Sequence, residues 1–252
     1  MDLQHEPALR AVIFDVDGTL ADTERDGHRH AFNAAFVRHG VEVEWSADEY
    51  GRLLEITGGK RRIAADLRAR GFGEAADGLA ARVHRTKTDL FRALVVNGRL
   101  APRPGMRALV ADLVGEGVRI AVATTGRRSW VDPLIARLLR GFPVELVVTG
   151  DDVTDLKPDP EAYLKALDGL GLAPHEALAV EDSANGLQAA TAAGLPTVVV
   201  TNGYTREQDF GGAAAVRPAY DDPHQLLTAE CRELHRQWWA ARADAAVPGA
   251  GA

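Results

Sequence analysis

Cysteine is nearly absent from the 252-residue chain, which has only Cys231. That excludes an internal disulfide framework and suits a reducing compartment, so a cytoplasmic protein is expected. No apolar stretch approaches the roughly 20 residues that cross a bilayer. The opening residues Met1-Asp2-Leu3-Gln4-His5-Glu6 lack the basic start and apolar run of a secretory signal. Basic residues are also in deficit: Lys and Arg total 29 against 36 Asp and Glu, a formal charge of −7. A broad nucleic-acid face is excluded on that ground, because its footprint would be basic. Several catalytic signatures are missing as well. Gly59-Lys60 lacks the upstream glycine and following Ser/Thr of a P-loop, and Gly115-Glu116-Gly117 lacks a third glycine and precedes a strand. His175-Glu176 has no second histidine at zinc spacing, and no Gly-x-Ser-x-Gly elbow occurs.

What is present is a repeated pattern of short apolar runs, each ending on a polar residue. Residues 10–14 run into Asp15, 118–123 into Thr124, 144–148 into Thr149, 177–180 into Glu181-Asp182, and 196–200 into Thr201. Such continuous runs read as strands buried on both faces, the pattern of a parallel sheet. Helical patterns lie between them; Met106, Leu109, Val110 and Leu113 share one face after Pro104. The expected fold is a doubly wound, Rossmann-like α/β core. In such sheets ligands bind beyond the carboxyl ends of the strands, where Asp15, Thr124, Thr149, Glu181 and Asp182 collect.

Residues 24–103 break the alternation. Phe32, Ala35, Phe36 and His39 recur at helical spacing before Gly40, and Ser46-Ala47-Asp48-Glu49 has capping-box spacing. This stretch reads as a small all-helical cap inserted after the first strand, with hinges near Asp22-Thr23 and Pro102-Arg103-Pro104-Gly105. The expected division is residues 8–23 and 104–228 as catalytic core, 24–103 as cap, and 229–252 as a C-terminal helix and tail. Residues 245–252 are small and expected to be disordered. Trp238 and Trp239 are expected to pack rather than stack on a ligand.

The chemistry centres on Asp15-Val16-Asp17-Gly18-Thr19. Two carboxylates two residues apart, past a buried strand, share one pocket if Gly18 turns the chain. Crowded carboxylates repel unless a cation joins them, and Mg²⁺ suits oxygen ligands that include phosphate. Thr57-Gly58-Gly59-Lys60 offers backbone N–H groups and a cation at a helix start, a sound anion site, and Lys87 on the next long helix can face the same cleft. The same residues also read as an interhelix turn followed by a solvated Lys60-Arg61-Arg62 face.

Taken in order, Asp15-Val16-Asp17-Gly18-Thr19, Thr124 after a strand, Lys157-Pro158 in a loop and Glu181-Asp182 after a strand resemble the four motifs of the haloacid-dehalogenase-like superfamily. The insert resembles the cap of its β-phosphoglucomutase-like subfamily, and most closely the CbbY-like group of sugar-bisphosphate phosphatases. That likeness rests on Glu24 to Arg29, Thr57 to Lys60, His84 to Lys87, and Glu181 to Gly186. The resemblance implies Asp15 as covalent nucleophile, Asp17 as general acid and base, and Thr124 and Lys157 as partners of the transferred phosphoryl group. It implies Mg²⁺ held by Asp15, Asp17 through its carbonyl, and Asp182, with Glu181 in or beside the shell. Substrate contacts would come from Glu24, His28, Thr57, Gly58, Gly59, Lys60, His84, Lys87, Thr124, Thr125 and Gly126. The implied activity is removal of phosphate from xylulose-1,5-bisphosphate or a similar phosphorylated sugar. A β-phosphoglucomutase-type mutase and a non-catalytic phosphate sensor are the other readings. A monomer with neither nucleic-acid nor membrane partner is the expectation.

Overall fold

The computed structural model of the protein describes residues 8–98 and 100–246. Six parallel strands form one sheet in the order β3-β2-β1-β4-β5-β6, with β1 (Ala11–Phe14) and β4 (Ala177–Glu181) at its centre. β2 (Arg119–Ala123) and β3 (Leu146–Val148) lie on one side, β5 (Thr197–Val200) and β6 (Ala215–Arg217) on the other.

The two faces of the sheet carry different side chains. Val12, Phe14, Ile120, Val122, Leu178, Val180 and Val198 pack on α5 (Met106–Gly115), α6 (Arg128–Leu138) and α9 (Thr228–Ala246). The other face is lined mainly by small residues, Ala11, Ala121, Ala123, Ala177 and Ala179. Small side chains let α7 (Glu161–Leu170) and α8 (Ala184–Ala192) sit close to the backbone, which brings Tyr163 under the active edge.

Between β1 and α5 the described elements are all helical: a π-helical turn (Glu24–His28), α1 (Arg29–Arg38), α2 (Ala47–Leu53), α3 (Gly59–Ala69) and α4 (Ala75–Val96). These bury a core of their own around Phe32, Phe36, Trp45, Tyr50, Ile63 and Leu67. Ser46 caps α2 by accepting from the Glu49 N–H at 3.2 Å, as its spacing predicts. Among the described residues no helix is long and apolar enough to cross a membrane.

Two details correct the expectations, and a third agrees with them. β6 is a three-residue edge strand with Val216 half exposed, too short and polar to register as an apolar run. Ala245 and Ala246 belong to α9 rather than to a disordered tail, and 247–252 lie outside the described residues. Trp238 and Trp239 pack edge to face at 4.9 Å, with the Trp238 indole donating to the Gly212 carbonyl, in keeping with a packing role.

α9 also buries His235 completely, and neither ring nitrogen finds a hydrogen-bond partner of normal geometry. Burial pushes this imidazole down to about 4 from 6.5. A lowered histidine pKa means that the unfolded chain binds more protons between those values. Stability is therefore full above the unfolded pKa and falls as the pH drops through the window. Acidification from pH 7 to 4.5 is expected to cost the wild type on the order of 2 kcal/mol more than His235→Leu. Urea titrations at the two pH values measure this, and equal losses in the two proteins contradict the assignment.

Candidate active site

Asp15 sits directly after central strand β1, its N–H continuing the ladder to the Val180 carbonyl at 3.0 Å. The chain then turns at Gly18, whose φ is +83° and whose N–H meets the Ala21 carbonyl at 2.9 Å. A Cβ at Gly18 would lie 2.2 Å from an Asp182 carboxylate oxygen, so only glycine permits this turn beside β4. Asp182 is brought in by the end of β4 together with Glu181, and Gly186 on α8 makes room for the Glu181 carboxylate, which a Cβ there would meet at 2.0 Å.

Asp15, Glu181 and Asp182 are all buried, with candidate ligand oxygens within 4.8 Å of one another. Among the described residues, Lys157 is the cation that hydrogen-bonds into the cluster. Lys157 Nζ donates to Asp15 Oδ1 at 2.7 Å, Glu181 Oε1 at 2.6 Å and the Ala123 carbonyl at 2.9 Å, which uses all three of its hydrogens. Tyr163 from α7 completes the group by donating to Glu181 Oε1 at 2.7 Å. The balance still lies with negative charge. Burial, with Glu181 and Asp17 adding repulsion, pushes Asp15 up to about 8 despite Lys157. Burial, then repulsion from Glu181 and Asp15, raises Asp182 well above the usual carboxylate range. A buried oxygen-donor set this short of positive charge fits a hard divalent cation such as Mg²⁺.

The Asp17 side chain faces away from that triad. Thr23 Oγ1 donates to its Oδ1 at 2.5 Å and His28 Nε2 lies 3.2 Å from the same oxygen. Lys87 Nζ stands 2.8 Å from His28 Nδ1. An ammonium can only donate, so Nδ1 is the acceptor and Nε2 carries the hydrogen that bonds Asp17. Burial works against the Asp17 charge, but His28, Thr23 and Lys87 outweigh it and hold the carboxyl below its ordinary range. Lys87 is therefore buried and engaged with His28, under the rings of Phe32 and Phe91, rather than standing free at an anion site.

One continuous cleft joins these groups to the helical insert. Its inner part is lined by Asp15, Asp17, Glu24, Thr57, Gly58, Arg62, Thr125, Lys157, Glu181 and Asp182. Its outer part adds His28, Gly59, Lys60, Arg61, His84, Lys87, Gly126 and Arg127. Thr124 lies buried beneath it, its hydroxyl accepting from the Gly126 N–H at 3.0 Å. The outer part is strongly cationic: burial, then Lys87, Arg127, His28 and Lys60, push His84 down to about 4. Lys60 is exposed at the rim, whereas Arg62, which the solvated-face reading puts in water, is buried in the cleft. Its Nε donates to the Leu53 carbonyl at 2.9 Å and its Nη1 to the Tyr50 hydroxyl at 3.3 Å. Tyr50 in turn donates to Glu24. The sequence signal for Arg62 was its place one helical turn after Gly59, which puts both on one face of α3. Tyr50 and Tyr163 gave no sequence signal beyond an apolar helical position.

A family profile described as haloacid dehalogenase-like hydrolase matches residues 9–194. Protein CbbY of Rhodobacter capsulatus is 43% identical over 208 residues, covering 81% of this chain and 91% of that protein. Protein CbbY of Cereibacter sphaeroides is 44% identical over 209 residues, covering 81% and 90%. The crystal structure of CbbY from Rhodobacter sphaeroides in complex with phosphate superposes with a TM-score of 0.78 at 41% identity, covering 86% of this chain and 97% of that one. A mutant of that protein in complex with xylulose-(1,5)bisphosphate gives 0.77 at the same identity and coverage. With its motifs in order on a matching fold, the chain belongs to the haloacid dehalogenase-like hydrolases.

Proposed function

We propose that the protein is a Mg²⁺-dependent phosphatase of sugar bisphosphates, with xylulose-1,5-bisphosphate as the substrate it fits best. The observation that carries this reading is the two-ended cleft. One end has Asp15, Lys157 and the acidic triad; the other has Lys60, Arg127 and a histidine already surrounded by cations, and Arg62 lines both. A chain of net charge −7 places cations this densely where an anion is to be held. One phosphate lies at each end, and Glu24, held by Tyr50, faces the hydroxyls between them. A CbbY structure with xylulose-(1,5)bisphosphate bound supports the same assignment.

In this mechanism Asp17, held ionised before the substrate enters, takes up a proton from solvent as the phosphate brings negative charge beside it. Asp15 then attacks the phosphorus, the bond from phosphorus to the sugar oxygen breaks, and Asp17 gives that oxygen the proton. Asp17 then takes a proton from the water that hydrolyses the aspartyl phosphate, so one difficult displacement becomes two easier ones. His28, fixed by Lys87, holds Asp17 at the correct angle. Lys157 neutralises charge as it builds on Asp15 and the phosphoryl oxygens, and Thr124 with the backbone after it orients them. Asp15, the Asp17 carbonyl and Asp182 would hold Mg²⁺ with Glu181 beside them, and the ion supplies electrostatic stabilisation of the transferring group. Residues 24–103 act as a cap that closes over the sugar, with residues 8–23 and 104–228 as the catalytic core. The enzyme works as a cytoplasmic monomer in this reading, in keeping with its single buried cysteine.

The test offers xylulose-1,5-bisphosphate and β-glucose-1-phosphate separately, following free phosphate and glucose-6-phosphate. Phosphate release from the bisphosphate is expected. Arg62→Ala should lower its kcat/KM by about a hundredfold and Lys60→Ala by about tenfold, while a small aryl phosphate is little affected. Glucose-6-phosphate formation without phosphate release from the bisphosphate establishes the mutase reading instead.

A further inference from the structure

We propose that Gly51 and Tyr204 form the seat on which the cap closes, and that Asn202 ties this seat to Asp182. The proposal rests on the reading of residues 24–103 as a cap over a sugar phosphate, and it names the contact that registers closure.

Gly51 lies inside α2, next to Tyr50, which holds Glu24. A glycine within a seven-residue helix weakens it, and alanine is the better helix former at such a position. The reason for glycine is across the cleft. A Cβ at Gly51 would lie 3.1 Å from Tyr204 Cδ1 and 3.5 Å from its Cε1, so the tyrosine edge rests on the bare helix backbone. The Tyr204 ring also meets Tyr50 at 5.9 Å, edge to face. Tyr204 belongs to the core, in the loop after β5. Asn202 fixes that loop: its Oδ1 accepts from the Tyr204 N–H at 2.8 Å, and its Nδ2 donates to Asp182 Oδ2 at 2.6 Å.

The contacts therefore run from cap helix to acidic triad in three steps: Gly51 and Tyr50 on Tyr204, Tyr204 on Asn202, Asn202 on Asp182. A second cap-to-core bond, Asn185 Nδ2 donating to Thr57 Oγ1 at 3.2 Å, is made by other residues, which line the inner part of the cleft. Two separated contacts fix how far the cap descends and at what angle. Glu24 moves with Tyr50, so the seat sets the position of the sugar-facing carboxylate relative to Asp15. Gly51 and Tyr204 are thus positioning residues, acting through Tyr50 on one side and Asn202 on the other.

The opposing demands on Gly51 give the test. Gly51→Ala and Gly51→Leu should leave the melting temperature unchanged or raise it, because the helix is improved. Gly51→Leu should nevertheless lower kcat/KM for xylulose-1,5-bisphosphate by about tenfold, by holding the cap ajar, with turnover of p-nitrophenyl phosphate within about twofold. Adding Tyr204→Ala should recover most of that loss, since the side chain the leucine strikes is gone. Hydrogen exchange of residues 201–206 in the presence of Mg²⁺ and phosphate reads closure without any substrate and should be faster in Gly51→Leu. Parallel losses on both substrates, or a double variant no better than Gly51→Leu, overturn the seat. A wild type that leaves the bisphosphate untouched contradicts the substrate reading alone, and the exchange measurement then decides the seat by itself.

Discussion

Asp15→Asn is expected to lose phosphate release by at least about four orders of magnitude while keeping the fold. The residue is the first after β1 and is oriented by the Val180 carbonyl through its main chain, so an amide of equal size leaves the strand and turn in place. Two things change at the site. An amide is a poor nucleophile and cannot form the acyl phosphate, which removes the covalent route. Lys157 also loses the charge of its partner at 2.7 Å, keeping at most a neutral amide oxygen there beside Glu181 and the Ala123 carbonyl. Each factor of ten corresponds to about 1.4 kcal/mol of barrier, so four orders ask for about 5.5 kcal/mol, within what removal of a covalent nucleophile costs. Circular dichroism and a melting curve check the fold, and phosphate release checks the chemistry. Activity within tenfold of the wild type would falsify the covalent mechanism.

How much of this site can be read in the sequence depends on what each residue's pattern encodes. Asp15, Thr124 and Glu181-Asp182 each end an apolar run, and a parallel sheet must deliver such residues to one edge. Lys157 has no such pattern; the motif order placed it, and the structure shows why a loop lysine is buried here, bonded to two carboxylates. Arg62 and Lys60 stand two residues apart, and their charges are identical. Only the direction of α3 decides that Arg62 turns inward and Lys60 outward, which a charge run alone does not reveal. Lys87 is the reverse case: it lines the cleft as expected, but its ammonium also donates to His28, a contact no helical pattern announces. β6 escaped because an edge strand of three residues needs no hydrophobic run. Gly51 looks in the sequence like a lapse in helix propensity, and its meaning lies 153 positions away in Tyr204, beyond the reach of any local pattern.

Removal of Mg²⁺ is expected to abolish turnover, and its return to restore it. The triad sets the scale of the effect. Asp15, Glu181 and Asp182 are each at most 6% exposed, and Lys157 is the cation of this chain that touches two of them. Asp15 is pushed up to about 8, and Asp182 well above its usual range, because buried carboxylates at this spacing cannot share so little positive charge. A phosphorylated substrate adds further negative charge at the same point, so without a divalent ion the transition state meets repulsion rather than stabilisation. A loss of at least a thousandfold after exhaustive chelation follows, and zinc or calcium should restore less than Mg²⁺ does. The ion should also stabilise the fold, since it binds the native arrangement and not the unfolded chain. At a hundred times its dissociation constant the gain is about 2.7 kcal/mol, visible as a rise in melting temperature. Asp182→Ala removes one donor and the Asn202 anchor together, and should abolish both that rise and the turnover. Full activity in chelated enzyme whose metal content is verified as substoichiometric, or an Asp182→Ala melting temperature that still climbs with Mg²⁺, contradicts the metal site. The two readouts separate the ion's place in the site from its part in the chemistry, because the melting temperature responds to binding even when no substrate is present.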